Sequence, residues 1–168
     1  MLFRSLQTDF IDFVMSTLNA FQLKPEHLVL EITESILIQS FENINSKLQE
    51  LKSLGIGVAL DDFGNGYSSL SYLMQLPIST LKMDKSFIND IITNSGNRVL
   101  VGHIISLGRN LGIKVIAEGV EDTEQLDFLV ENQCDVIQGY IFGKPLSEEE
   151  VIKRLDAYEL NPYKYRLE

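Results

Sequence analysis

A chain of 168 residues, 45% hydrophobic and 23% charged, has the makeup of one soluble globular domain. Its 24 acidic and 14 basic residues give a formal net charge of −10, a field that repels nucleic acid and anionic lipid, so an anionic substrate would need metal ions or a local lysine. No apolar stretch approaches the roughly 20 residues of a membrane span, and with no signal-peptide pattern at the N-terminus the default compartment is cytoplasmic.

The segment 6–23 predicts an opening helix, with Phe10, Phe13, Val14 and Leu18 on one side. Residues 28–33 predict the first strand, followed by a helix in which Phe41, Ile44, Leu48, Leu51 and Leu54 recur at helical spacing. Gly55 is placed to end that helix. Strands are predicted next at 57–62 and 79–84, and then a helix marked by Val99, Leu100, Ile104, Leu107 and Leu111 and closed by Gly112. A fourth strand follows at 114–118, and Asp122 with Gln125 could cap the helix after it. The fifth strand is predicted at 135–140. Ser147 with Glu150 then makes a capping box, and Leu146 with Val151 the matching staple. Cys134 is the single cysteine, which excludes an internal disulfide; it is expected to pack as a small hydrophobe near a strand. The rhythm is α(βα)5, an α/β pattern that argues for a parallel sheet with helices outside it.

Chemistry-bearing residues close every strand. In order they are Glu31 and Glu34, Asp61 and Asp62, Lys82 and Asp84, Glu118 and Glu121, and Gln138. In parallel α/β folds the C-terminal strand ends meet on one rim, where active sites are built. Bare carboxylates a few ångströms apart cannot all stay ionised near neutral pH. Hard divalent cations such as Mg²⁺ or Mn²⁺ resolve this, because they prefer oxygen ligands. Turns are polar in any case, so a single acidic strand end would carry little weight; their recurrence strand after strand favours a metal site. Asp61 and Asp62 are adjacent, and successive strand residues face opposite ways. Both reach one centre only if the strand ends or bulges there, which Gly64 and Gly66 would permit. Lys82, among acidic neighbours, could meet a phosphate oxygen or a bound water; the bland alternative is a structural pair with Asp84. No histidine or cysteine spacing suggests zinc.

Five ordered segments resemble the successive motifs of EAL domains. They are Leu30-Glu31-Ile32-Thr33-Glu34-Ser35, then Asp61-Asp62-Phe63-Gly64-Asn65-Gly66-Tyr67-Ser68-Ser69-Leu70, then Leu81-Lys82-Met83-Asp84-Lys85-Ser86-Phe87. Ile116-Ala117-Glu118-Gly119-Val120-Glu121 and Gln138-Gly139-Tyr140 complete the series. The resemblance reaches to about residue 155, and it implies a TIM-barrel-type α/β fold that hydrolyses cyclic di-GMP to linear pGpG with Mg²⁺ or Mn²⁺. Carried over position by position, Glu31 and Asp61 would ligate a first metal, and Asp61, Asp62 and Glu118 a second. Lys82 would orient the attacking water, with Glu118 viewed also as a general base. Asp84, Gln138 and Glu121 would support the site or the substrate. Glu34 would anchor the loop of Phe63, Gly64, Asn65, Gly66, Tyr67, Ser68 and Ser69, which in that family couples the site to a homodimer interface.

The match begins late in the family pattern. The strands bearing the Glu-Ala-Leu signature, a substrate arginine and a metal-ligating asparagine are not in this chain. The expectation is therefore a partial EAL domain over 1–168, its motifs in 28–155 and a C-terminal helix and tail in 147–168, with five strands that cannot close a barrel. Sensor or GGDEF-type domains are expected in the parent protein, and neither nucleic acid nor a membrane segment in this chain. On this reading the first metal site is incomplete, and turnover by this chain alone is expected to be absent or reduced. The alternatives are a degenerate module that binds cyclic di-GMP or a protein partner without turnover, and an unrelated barrel enzyme using Lys82 as a Schiff-base amine. The barrel-facing side is expected to carry apolar residues such as Ile32, Val58, Leu60, Leu81 and Ile116, and their exposure would drive self-association.

Overall fold

Parallel strands must be joined by crossovers. In the computed structural model, which describes residues 9–64 and 73–160, the elements appear in the predicted order. Helix α1 (Phe10–Ala20) is followed by a 3₁₀ turn (Pro25–His27), β1 (Val29–Thr33), α2 (Glu34–Ser53) and β2 (Gly57–Phe63). Then come β3 (Thr80–Met83), the short α3 (Lys85–Asn89), α4 (Ser95–Leu111), β4 (Lys114–Glu118), α5 (Thr123–Glu131), β5 (Val136–Gln138) and α6 (Glu148–Leu160). All five strands pair in parallel, in the order β1-β2-β3-β4-β5. Among the described residues helix-period segments supply the crossovers between β1 and β2, β3 and β4, and β4 and β5.

Helix ends follow local chemistry. Gly112 closes α4 in the left-handed conformation, at φ 68°. Asp122 and Gln125 form a capping box at the start of α5. Ser147 and Glu150 form another before α6: Glu150 accepts from the Ser147 N–H and hydroxyl at 3.0 and 2.8 Å, and this holds its carboxyl below the ordinary range. In α1, Val14 and Leu18 are buried, but Phe13 lies on the exposed side of the helix. Cys134 packs against the core with its thiol near the Val136 carbonyl, and burial pushes its pKa up, the mark of an inert thiol.

The core lies between the sheet and its helices. Val58 and Leu60 of β2, Leu81 and Met83 of β3 and Val115 and Ala117 of β4 face α2, α4 and α5, which contribute residues such as Leu48, Leu51, Val101, Ile105 and Leu129. This corrects the expected parity. Ile32, Val58, Leu60 and Leu81 are at most 8% exposed and belong to the helix-covered core. The register puts Ala59, Thr80 and Ile116 on the opposite face, with Glu31, Lys82 and Glu118. Of the five apolar residues expected on the barrel-facing side only Ile116 is there, so their exposure supplies no drive to self-association.

Candidate active site

The register aligns the C-terminal strand ends, and with them the charged side chains. Glu31 pairs across β1 with Ala59, Lys82 across β3 with Ile116, and Glu118 across β4 with Gln138. Between β2 and β3 the pairing runs Leu60 with Leu81 and then Phe63 with Met83. Two residues, Asp61 and Asp62, thus stand opposite one, Lys82, which is a β-bulge. The bulge is the local break that the adjacent aspartates require, and both now lie opposite the lysine. Asp62 takes the extra position at φ 56°, a left-handed conformation costing about 1 kcal/mol that aspartate bears better than most residues.

Lys82 organises the rim. Its side chain is 10% exposed, and its Nζ lies 2.9 Å from Glu31 Oε1, 3.0 Å from Asp61 Oδ1 and 2.9 Å from Glu118 Oε1. Burial alone would lower its pKa, but contacts with Glu31, Glu118 and Asp61 outweigh burial and hold it well above the ordinary lysine value. A Schiff-base lysine needs the opposite shift, so this environment argues against that chemistry. The structural pair weighed for Lys82 gives way to these three partners on three other strands, while Asp84 caps α3 by accepting from the Ser86 N–H at 2.9 Å.

The donors fit a hard divalent cation. All are carboxylates, and Asp61 Oδ1 is buried without a hydrogen bond, its 3.0 Å approach to Lys82 giving charge attraction but not hydrogen-bond angles. Among the described residues no three acidic, histidine or cysteine side chains stand ready-gathered around one ion position. The ammonium of Lys82 lies between the carboxylates as counter-ion.

Glu34 is 2% exposed, and its Oε2 accepts from the Gly64 N–H at 3.0 Å. Gly64 sits at φ 102°, and an added Cβ would come within 1.9 Å of the Phe87 ring, so the chain turns there only as glycine. Phe63 is buried; Asn65, Gly66, Tyr67, Ser68 and Ser69 lie outside the described residues. Gln138 and Glu121 are not among the contacts of Lys82. They line an adjoining groove with Glu118, Gly119 and Tyr140. That groove also contains Lys85, a residue that sequence reasoning passed over. Its ion pair with Glu121 joins positions 36 residues apart, a proximity no local pattern announces.

Known proteins resemble this chain in sequence and in fold. The family described as EAL domain matches residues 3–145. The bifunctional diguanylate cyclase/cyclic di-GMP phosphodiesterase MucR of Pseudomonas aeruginosa is 41% identical over 142 residues, 84% of this chain and 21% of that protein. The chain thus spans about a fifth of the length of that curated relative. Among solved structures, the PaMucR phosphodiesterase in complex with c-di-GMP superposes with a TM-score of 0.83 at 39% identity, covering 88% of this chain and 60% of that one. The Klebsiella pneumoniae BlrP1 complex with manganese and cyclic di-GMP gives a TM-score of 0.78 at 32% identity, covering 83% and 36%.

Proposed function

The chain belongs to the EAL domain family, and from that premise we propose that its parent protein hydrolyses cyclic di-GMP to linear pGpG with Mg²⁺ or Mn²⁺, residues 1–168 supplying the carboxylate rim. The observation that carries this reading is the gathering of Glu31, Asp61 and Glu118, from three strands, around Lys82. Glu31 and Asp61 would hold one ion, and Asp61, Asp62 and Glu118 another. Those ions would supply Lewis acidity toward the phosphodiester and charge to offset the carboxylates. Lys82 orients the attacking water through its N–H donors, and Glu118 accepts the proton that water loses. Asp84 and Gln138 hold the strand ends around them, and Glu34 fixes the start of the 64–69 loop through Gly64.

The test is product analysis. The full-length protein given cyclic di-GMP and Mn²⁺ should release pGpG, and Glu118→Gln should slow it by about 10³-fold or more. Cyclic di-GMP binding without pGpG would instead identify a degenerate, binding-only module.

Three further features belong to the same proposal. Sensor or cyclase domains would occupy the remainder of a parent as long as the relative above. The domain would work in the cytoplasm; no helix among the described residues is long and apolar enough to cross a membrane, and protease protection in intact cells would check its location. A homodimer would pair through the 64–69 loop region. Sedimentation of the full-length protein at low micromolar concentration should show a dimer, and a monomer would remove that feature.

A further inference from the structure

Lys82 and Glu118 act from neighbouring strands, and the chain leaves the sheet just beyond each of them. After β3 it turns into α3, and after β4 into the loop that leads to α5. One buried side chain ties these two exits together. Gln125, the third residue of α5, is 4% exposed. Its Oε1 accepts from the N–H groups of Glu121 and Asp122 at 2.9 and 3.1 Å, and its Nε2 donates to the Ile88 carbonyl of α3 at 3.2 Å. Ile88 is fully buried, so this end of the tie is anchored in the core. Gly119, at φ 72°, brings the loop close against α3; a Cβ there would meet Lys85 Cγ at 2.6 Å. The same short helix sets the Phe87 ring against Gly64, at the exit of β2. It therefore touches the exits of the strands that carry Asp61 and Asp62, Lys82, and Glu118. A helix cap needs only the side-chain oxygen of Gln125, and glutamate serves as well there. The amide nitrogen is what glutamate lacks, and here it reaches α3.

We propose that Gln125 is a positioning residue for the hydrolysis: its bond to the Ile88 carbonyl fixes the β4 exit against the β3 exit, and so Glu118 against Lys82. The inference rests on the phosphodiesterase reading above. The pairing of β3 with β4 ends at Met83 with Ala117, one residue short of Glu118. Beyond that point the ladder no longer sets the spacing of the two strands, and the Gln125 bridge takes over. Glu118 Oε1 and Lys82 Nζ stand 2.9 Å apart. A water oriented by Lys82 passes its proton to Glu118 only while both groups stay within hydrogen-bond reach of it. A misplacement of about 1 Å costs on the order of 10²-fold in rate. The hydrogen bonds of Gln125 go to backbone groups, so it acts through the chain and not on the reacting atoms. Without the bridge the loop keeps its bond to β5, where the Val120 N–H donates to the Gln138 carbonyl at 3.1 Å. The loop then stays folded but loses its setting against α3.

The experiment measures kcat, KM and the unfolding temperature of the full-length protein, with cyclic di-GMP and Mn²⁺, for three variants. Gln125→Glu keeps the acceptor that caps α5 and loses the donor to Ile88. Its kcat should fall about tenfold to a hundredfold, with KM within about threefold of wild type. Gln125→Met loses both halves and should fall at least as far. Asp122→Ala opens the other side of the capping box and leaves the bridge to α3 in place. It should lower the unfolding temperature by about 2–4 °C and leave kcat within about threefold. If Gln125→Glu fails to fold, Gln125→Met against Asp122→Ala decides. A Gln125→Glu protein as fast as wild type would reduce Gln125 to a helix cap and overturn the inference. So would equal falls in kcat for Gln125→Glu and Asp122→Ala, or a loss confined to KM; each leaves the phosphodiesterase reading standing. A wild type without cyclic di-GMP turnover would overturn both.

Discussion

Replacing Lys82 with methionine should lower the thermal stability of this chain in the absence of divalent ions and nearly abolish turnover in the full-length protein. Three carboxylates within 3.0 Å of one ammonium would lose it together. Removing one side of a largely buried ion pair costs about 3–5 kcal/mol. Glu31 is 52% exposed and relaxes into solvent, so about 1–3 kcal/mol is expected, or roughly 2–10 °C in Tm at this size. Added Mg²⁺ or Mn²⁺ should return part of that stability, since the ion supplies the missing charge. The alkaline limb tests the sign. The folded-state pKa of Lys82 is raised above 10.5, so its contribution is complete below that value and is lost as the pH rises through the folded pKa. The wild type and the variant should therefore converge in strong alkali. In the full-length protein kcat should fall about 10²- to 10⁴-fold. Unchanged stability and rate would remove Lys82 from the centre of the site.

Gly139→Ala should damage the fold and the groove at once. An alanine Cβ would stand 2.0 Å from the Val120 carbonyl oxygen and 2.3 Å from its nitrogen. Both are backbone atoms already engaged: the Val120 N–H donates to the Gln138 carbonyl, and the Val120 carbonyl accepts from Ile141. A flexible side chain could turn aside, but this backbone can move only by breaking those bonds. The expected loss is about 3 kcal/mol or more, at the upper end for overpacking. The displaced segment carries Gln138 and Tyr140, so substrate affinity should fall with stability. Urea denaturation of the variant against wild type reads the first effect. A loss under about 0.5 kcal/mol, the range of an ordinary surface change, would contradict the close approach.

The strands and most helix limits were legible because apolar runs, capping boxes and Gly112 act locally. Asp61-Asp62 followed by Gly64 left a strand end or a bulge as the two readings, and the register shows the bulge. Strand parity was not legible. In β2, Val58, Ala59 and Leu60 are all buried, and so is every residue of β3, including Lys82. A strand covered on both faces loses the alternation that would show which side is which. The rim was legible as a set of strand ends, yet the partners of Lys82 were not, because they lie on β1, β2 and β4 and only the register brings them together. The Lys85–Glu121 pair was hidden for that reason too: the buried amide of Gln125 read in sequence only as a helix cap.

Glu31, Asp61, Asp62 and Glu118 are proposed as an oxygen-only site for divalent ions whose place Lys82 partly fills. Titration of Mn²⁺ into the full-length protein, followed by electron paramagnetic resonance, tests it most directly. Saturable binding is expected, weakened markedly in Asp62→Asn and nearly lost in Asp61→Asn. Equal Mn²⁺ binding by wild type and both variants would contradict it.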